Sequence, residues 1–117
     1  MNRQICDNKK LVIEIYNILR KLGIKTSNQG AKLIYLAIVI IINYNIKFIK
    51  LEDIYELISK QAKNMNKFQI RSSIRYAIDS RGIKKCEKNF EKIFGYEYNE
   101  SIFTNKNFIE ELLRIIL

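Results

Sequence analysis

The ten consecutive apolar residues from Leu33 to Ile42 constrain the fold of this chain more than any other feature. A helix that crosses a bilayer needs about 20 such residues, and Asn43 and Asn45 follow at once, so we expect no membrane span. The run predicts a helix that is buried nearly all round, at the centre of a bundle. A buried strand is the alternative, because an unbroken apolar run cannot separate the two. The residues we expect to be buried are Ile34, Leu36, Ile38, Ile40 and Ile41.

The shortage of turn-forming residues favours helices over strands. The 117 residues include four glycines and no proline, and strand-rich folds need more turn residues than that. We therefore expect an all-α fold, a bundle of about six helices without a sheet. Residues 8–117 would form a single helical domain. Residues 1–7 lack the apolar run of a signal peptide, and we expect a flexible N-terminal segment there.

A second helical pattern lies between residues 66 and 80. Its apolar residues recur at spacings of about one turn and define one inward stripe, made of Ile70, Ile74, Ala77 and Ile78. The remaining arc carries two arginines, an amide, a hydroxyl and two aromatic rings, with a single acid. These outward residues are Phe68, Gln69, Arg71, Ser72, Arg75, Tyr76 and Asp79. Side chains of this kind can bind phosphates and base edges.

The segment just upstream has its own helical stripe of Ile54, Leu57 and Ile58, and only a few residues separate the two patterns. Two short helices joined by a tight turn, the second basic on its free face, predict a helix-turn-helix over about residues 52–80. Residues 66–80 would be the recognition helix. The competing interpretation is an ordinary amphipathic helix whose charged face is solvated.

The basic charge is concentrated around this predicted motif. From Lys60 to Lys92 there are ten Lys or Arg against three Asp or Glu, a net charge of +7, whereas the whole chain carries +9. A focused basic region attracts a polyanion and accelerates the encounter with it. We therefore expect double-stranded DNA as the partner.

The residues that catalysis or metal binding usually require are scarce. Histidine is absent, and Cys6 and Cys86 are the only cysteines and form no CxxC pair. The sequence also contains no Gly-rich phosphate loop and no nucleophile elbow. We expect a protein that is not an enzyme, with no cofactor and no metal, whose cysteines stay reduced in the cytoplasm, at the bacterial nucleoid.

Several short motifs together resemble one known family, the C-terminal DNA-binding effector domain of the sporulation response regulator called stage-zero sporulation protein A. The resemblance runs from about Leu11 to the C-terminus. Its motifs, in order, are LGI (22–24) with Gly30 seven residues after Gly23, LIYLAI (33–38), SIRYAI (73–78), SRG (80–82), IFGY (93–96), and TN followed by FI (104–105, 108–109). The resemblance implies an all-helical bundle with a helix-turn-helix, which binds short DNA boxes in the major groove, often as tandem copies.

The sequence departs from the family pattern in three ways. The acidic receiver domain that normally precedes the effector is missing, so we expect phosphorylation of this chain not to be its switch. The turn near residues 64–67 is about two residues shorter. The family carries arginine, glutamate and arginine where this chain has Gln69, Arg71 and Ser72, and a histidine where it has Tyr76. We therefore expect a different DNA target.

These observations assign roles to the individual side chains. Arg71 and Gln69 would read bases, because arginine pairs with guanine and glutamine with adenine. Phe68 and Ser72 lie on the same face. The groups expected to hold phosphates are Lys67, Arg75, Tyr76, Arg81, Lys84 and Lys85. For Arg75 this role is implied by the resemblance, which matches it to a family arginine that contacts the DNA backbone.

Taken together, these features predict a sequence-specific transcriptional regulator. An alternative is an interaction protein that modulates a full-length regulator of the sporulation type, by pairing with it or by competing for its sites. A basic protein that binds DNA without sequence preference is a third interpretation. The sequence leaves other partners open. One is a second copy of this chain, either as a homodimer or in tandem on DNA. The others are RNA polymerase and a full-length regulator. No membrane partner is expected.

Overall fold

The protein is all-helical in the computed structural model, which describes residues 8–62 and 64–117. These residues form six α-helices, one short 3-10 helix and no β-strand, which confirms the predicted fold class. The helices are α1 Asn8–Lys21, α2 Gln29–Asn43, α3 Leu51–Gln61, α4 Lys67–Asp79, α5 Ile83–Phe94 and α6 Asn105–Ile116, with the 3-10 helix at Glu100–Ile102. The predictions for residues 1–7 and for Cys6 lie outside the described residues.

The apolar run forms the central helix, α2, and the strand alternative is wrong. This helix packs against α1, α3, α4 and α6. Most of its apolar side chains are buried, including Ile34, Ile38, Ile40 and Ile41. Leu36, which we also expected to be largely buried, is half-buried and packs against this core. With Tyr35, Val39 and Ile42 it lies on one stripe at the outer side of the bundle, which the neighbouring helices leave partly open.

Glycines allow the helices to approach closely at two points. At Gly30, the first turn of α2 meets α4 so tightly that a Cβ atom would lie 2.1 Å from the carbonyl oxygen of Ser73. Beyond the end of α1, Gly23 adopts a left-handed φ of 81° and its carbonyl accepts a hydrogen bond from the Gly82 N–H at 3.1 Å. No larger residue fits at Gly23 or Gly30 without displacing a neighbour, so these contacts fix how α4 sits in the bundle.

The last two helices begin and end at the residues that local chemistry favours. Gly95, with a left-handed φ of 87°, ends α5. Thr104 precedes α6, and its hydroxyl accepts the backbone N–H of Asn107 at 3.1 Å. Tyr96 and Tyr98, between these helices, pack against Phe90. This aromatic cluster holds the connection between α5 and α6 against the core.

No helix of the described residues is long enough and apolar enough to span a membrane.

Candidate nucleic-acid interface

Helix α4 begins with a capping box that fixes its first turn. The side chain of Asn66 accepts the Gln69 N–H at 2.9 Å, and the Gln69 side-chain oxygen accepts the Asn66 N–H, also at 2.9 Å. Such a reciprocal pair satisfies two backbone donors that a helix start leaves free. The five residues 62–66 connect this start to α3, and α3 and α4 pack against each other.

The capping box changes the expectation for Gln69. To read adenine through two hydrogen bonds, the amide must present both its oxygen and its nitrogen to the base. Here the oxygen is turned back to the helix backbone, and only the Nε2 group is left for an outside partner. The sequence carried a signal for this arrangement, since Asn-x-x-Gln at residues 66–69 matches the spacing of a capping box.

The four apolar residues of the predicted stripe in α4 are fully buried, with 0% exposure for Ile70, Ile74, Ala77 and Ile78. The opposite arc therefore faces solvent, where the helical periodicity predicts it. Phe68 is 58% exposed and Tyr76 is 68% exposed. Gln69, Arg71, Ser72 and Asp79 are also exposed, and Arg75 is half-exposed.

Arg71 presents its guanidinium beside an aromatic ring on this arc. Its Cζ atom lies 5.7 Å from the centroid of the Phe68 ring, within the range of a cation–π contact. Its backbone carbonyl accepts a hydrogen bond from the Asn105 side chain at 3.1 Å, which ties α4 to the start of α6. Within the part of the chain that the structure describes, Arg71 forms no ion pair, so its donors are available to an outside acceptor.

Arg75 is ion-paired with Asp79, one turn further along α4. The Arg75 Nε donates to Asp79 Oδ2 at 3.0 Å, and the Nη2 group bonds the second carboxylate oxygen. These hydrogen bonds raise the pKa of Arg75 and lower the pKa of Asp79. A DNA phosphate would have to compete with this carboxylate for Arg75.

Lys67 is shared between two carboxylates of α3. Its Nζ lies 3.7 Å from Glu52 and 3.8 Å from Glu56, and 5.5 Å from the centroid of the Phe68 ring. Contacts of this length between partly exposed groups are weak. Lys67 can therefore turn to a phosphate at little cost, although the two acids reduce the local positive potential.

An open groove of about 850 Å³ runs along one flank of α4, between the segment that enters α3 and the first turn of α6. Arg71 and Arg75 line it from α4, and Lys50 and Lys106 contribute from the two neighbouring elements. Lys50 and Lys106 are not among the DNA contacts that the sequence pattern predicts. They lie 56 positions apart in the sequence, and only the packing of α3 and α6 beside α4 brings them to the same groove.

Arg81 lies in the interior, which is a correction to its predicted role. It is 7% exposed, and its guanidinium packs 3.9 Å from the centroid of the Phe103 ring. One Nη group donates to the Ile78 carbonyl at 3.0 Å, and the other pairs with Glu100 at 2.5 Å. A side chain held in this way cannot also reach an outside phosphate, so the predicted phosphate contact of Arg81 is wrong.

Lys84 and Lys85 are exposed in the first turn of α5, which follows α4 after three residues. Their side chains are thus exposed on the helix that follows α4, where the sequence predicts phosphate contacts. Cys86, in the same turn, is buried, and this burial raises the pKa of its thiol. A buried thiol of this kind is chemically inert.

Among residues 8–62 and 64–117, no three acidic or cysteine side chains come together as metal ligands would.

No protein-family model, curated protein or solved structure matches this chain. The resemblance to the sporulation effector domain therefore stays a prediction, as does the helix-turn-helix.

Proposed function

We propose that this protein is a sequence-specific, double-stranded DNA-binding transcriptional regulator, in which α3 and α4 act as a helix-turn-helix. The observation that carries the proposal is the division of α4 into two faces. Its apolar stripe is completely buried, and its other face presents Arg71, Phe68 and Tyr76 to solvent. A helix of 13 residues is roughly 20 Å long and 10–12 Å across with its side chains, dimensions that the major groove accepts.

The proposed contacts fall into two groups. Arg71 and the Nε2 group of Gln69 would reach base edges from the N-terminal half of α4, where recognition helices usually contact bases. Phosphates would be held by residues around this centre. These are Lys67, Arg75, Tyr76, Lys84 and Lys85 from the sequence prediction, together with Lys50 and Lys106 of the flanking groove.

The contacts between the motif residues support the family resemblance. Gly23 of the LGI motif bonds Gly82 of the SRG motif, and Gly30 meets Ser73, the first residue of the SIRYAI motif. Residues that are far apart in sequence thus form the close contacts that fix α4 in the bundle. Contacts between the motifs that carry the resemblance are expected if this chain has the effector-domain fold. We propose that it has this fold.

A second candidate function is an interaction protein that modulates a full-length regulator. Two apolar side chains outside α4 favour it, since Phe48 is 93% exposed before α3 and Leu117 is 78% exposed after α6. Exposed apolar side chains can become part of a protein–protein contact where they belong to one contiguous patch. If it acts by pairing rather than by competing for the sites of the regulator, this candidate predicts binding to the regulator without any base preference of its own.

Selection of bound DNA from a random duplex pool tests the proposal. We expect an enriched motif, and an affinity for it that falls with salt at a log–log slope of about 0.9 per phosphate neutralised. Binding without any enriched motif would contradict the sequence-specific function. Affinity that stays flat from low to physiological salt would contradict DNA binding altogether.

A further inference from the structure

Phe68 and Arg71 form a pair on the exposed face of α4. They are three residues apart, hence on the same side of the helix, and the guanidinium lies 5.7 Å from the ring centroid. Phe68 is 58% exposed, so its ring contributes little to the packing of the core. Lys67 lies against the same ring at 5.5 Å. The ring thus lies between two cationic side chains, Lys67 and Arg71, at the N-terminal end of the proposed recognition helix.

An apolar ring in this position has one natural partner in the major groove. The 5-methyl group of thymine is the apolar feature of a base edge, and phenylalanine is among the side chains that contact it. Guanine presents two acceptors to an arginine in the same groove. Phe68 and Arg71 are separated by roughly 4.5 Å along the helix axis, a distance short enough for the two side chains to contact neighbouring bases.

We propose that Phe68 and Arg71 together read a 5-methylpyrimidine next to a guanine, Phe68 contacting the methyl group and Arg71 the guanine. The inference rests on the proposed function, and it adds the chemical feature of the DNA that this face selects. Packing of the guanidinium against Phe68 also holds Arg71 toward the neighbouring base. The 5-methyl group can come from thymine or from 5-methylcytosine, and the experiment separates these two sources.

The test uses the full chain and the site obtained by selection. Each thymine next to a guanine is replaced in turn by uracil, which lacks only the 5-methyl group, and each such cytosine is replaced by 5-methylcytosine. We expect one position where the methylated base binds about fourfold more tightly, the change that corresponds to burying one methyl-sized group. An effect for uracil identifies thymine as the natural partner, whereas an effect only for the modified cytosine identifies 5-methylcytosine.

Two variants assign the effect to Phe68. Phe68→Ala should bind the methylated and unmethylated sites equally, whereas Tyr44→Ala, which removes an aromatic side chain of similar exposure (60%) at the end of α2, should keep the wild-type difference. Both side chains are exposed, so both variants should fold. The inference is overturned if no position responds to the methyl group, or if Phe68→Ala keeps the response. In either case a retained base preference would leave the proposed function standing, whereas loss of all base preference in the wild type would overturn both.

Discussion

Arg75 and Asp79 lie one turn apart on the exposed face of α4, where the guanidinium and the carboxylate are joined by two hydrogen bonds. Asp79 is the only acid on the predicted outward arc of this helix. In the free protein Asp79 therefore binds Arg75, the arginine that would contact a DNA phosphate under the proposed function. The pair holds Arg75 in one orientation, and under the proposed function it would compete with DNA for this arginine.

Replacing Asp79 with asparagine should strengthen binding to every duplex. The change frees Arg75 and removes one negative charge, and we expect a rise in affinity of up to about fivefold, because an exposed ion pair is worth roughly 0.2–1 kcal/mol. The measurement is the dissociation constant on several unrelated duplexes at fixed salt. Asp53→Asn is the matched control, since Asp53 lines the same groove but pairs with no arginine among the described residues. Equal effects of the two substitutions would show that the Arg75–Asp79 pair does not restrain binding.

Arg81→Ala should lower stability and leave the salt dependence of DNA binding unchanged. The substitution removes the packing against Phe103 and the bond to the Ile78 carbonyl, and we expect a loss of about 1–3 kcal/mol in the free energy of unfolding. Lys84→Ala is the control, because it should lower the salt slope by about one without loss of stability. A lower salt slope in Arg81→Ala would show that Arg81 contacts a DNA phosphate, against this expectation.

The contribution of Glu100 to stability should depend on pH. Its pKa is lowered by the hydrogen bond from the Tyr98 hydroxyl, and also by Arg81. A carboxyl group whose pKa is lower in the folded state stabilises fully above its ordinary pKa, and this stabilisation is lost as the pH falls through the folded value. The difference in unfolding free energy between the wild type and Glu100→Gln should thus be constant near pH 7 and shrink in acid. A difference that does not change with pH would contradict the assignment.

Gly30→Ala should destabilise the bundle. A Cβ atom there would lie 2.1 Å from the Ser73 carbonyl oxygen and 2.6 Å from the Ala77 Cβ, so α2 and α4 must move apart. We expect a loss of about 1–3 kcal/mol, the usual cost of overpacking, measured by chemical denaturation. Gly82→Ala is the control, because its nearest neighbour would be 3.8 Å away. If Gly30→Ala is as stable as the control, the close packing of α2 on α4 is wrong.

The parts of the structure that depend on local pattern could be predicted from the sequence. The periodicity predicts a helix over residues 66–80, and α4 runs from Lys67 to Asp79 between Asn66 and Ser80. Its four buried residues and its exposed arc follow from periodicity alone. The ends of α5 and α6 at Gly95 and Thr104 follow from the capping preferences of those residues.

The parts that depend on distant residues could not be predicted. Arg81 resembles the other basic residues of its window, and its burial depends on Glu100 and Phe103, which lie about twenty positions later in the sequence. Lys50 and Lys106 carry no signal of their own, since the groove they share with α4 exists only after α3 and α6 have packed. The half-buried stripe around Leu36 likewise depends on which sides of α2 the neighbouring helices cover.

The most direct test of the proposed recognition helix compares Arg71→Ala with Arg75→Ala on single-base variants of the selected site. Arg71 lies in the N-terminal half of α4 and pairs with no carboxylate among the described residues, so its loss should cost about 1–3 kcal/mol on the preferred site and relax the preference at one base pair. Arg75→Ala should weaken binding to all variants alike and lower the salt slope by about one. If Arg71→Ala keeps every base preference of the wild type, α4 does not read the DNA in the way proposed here.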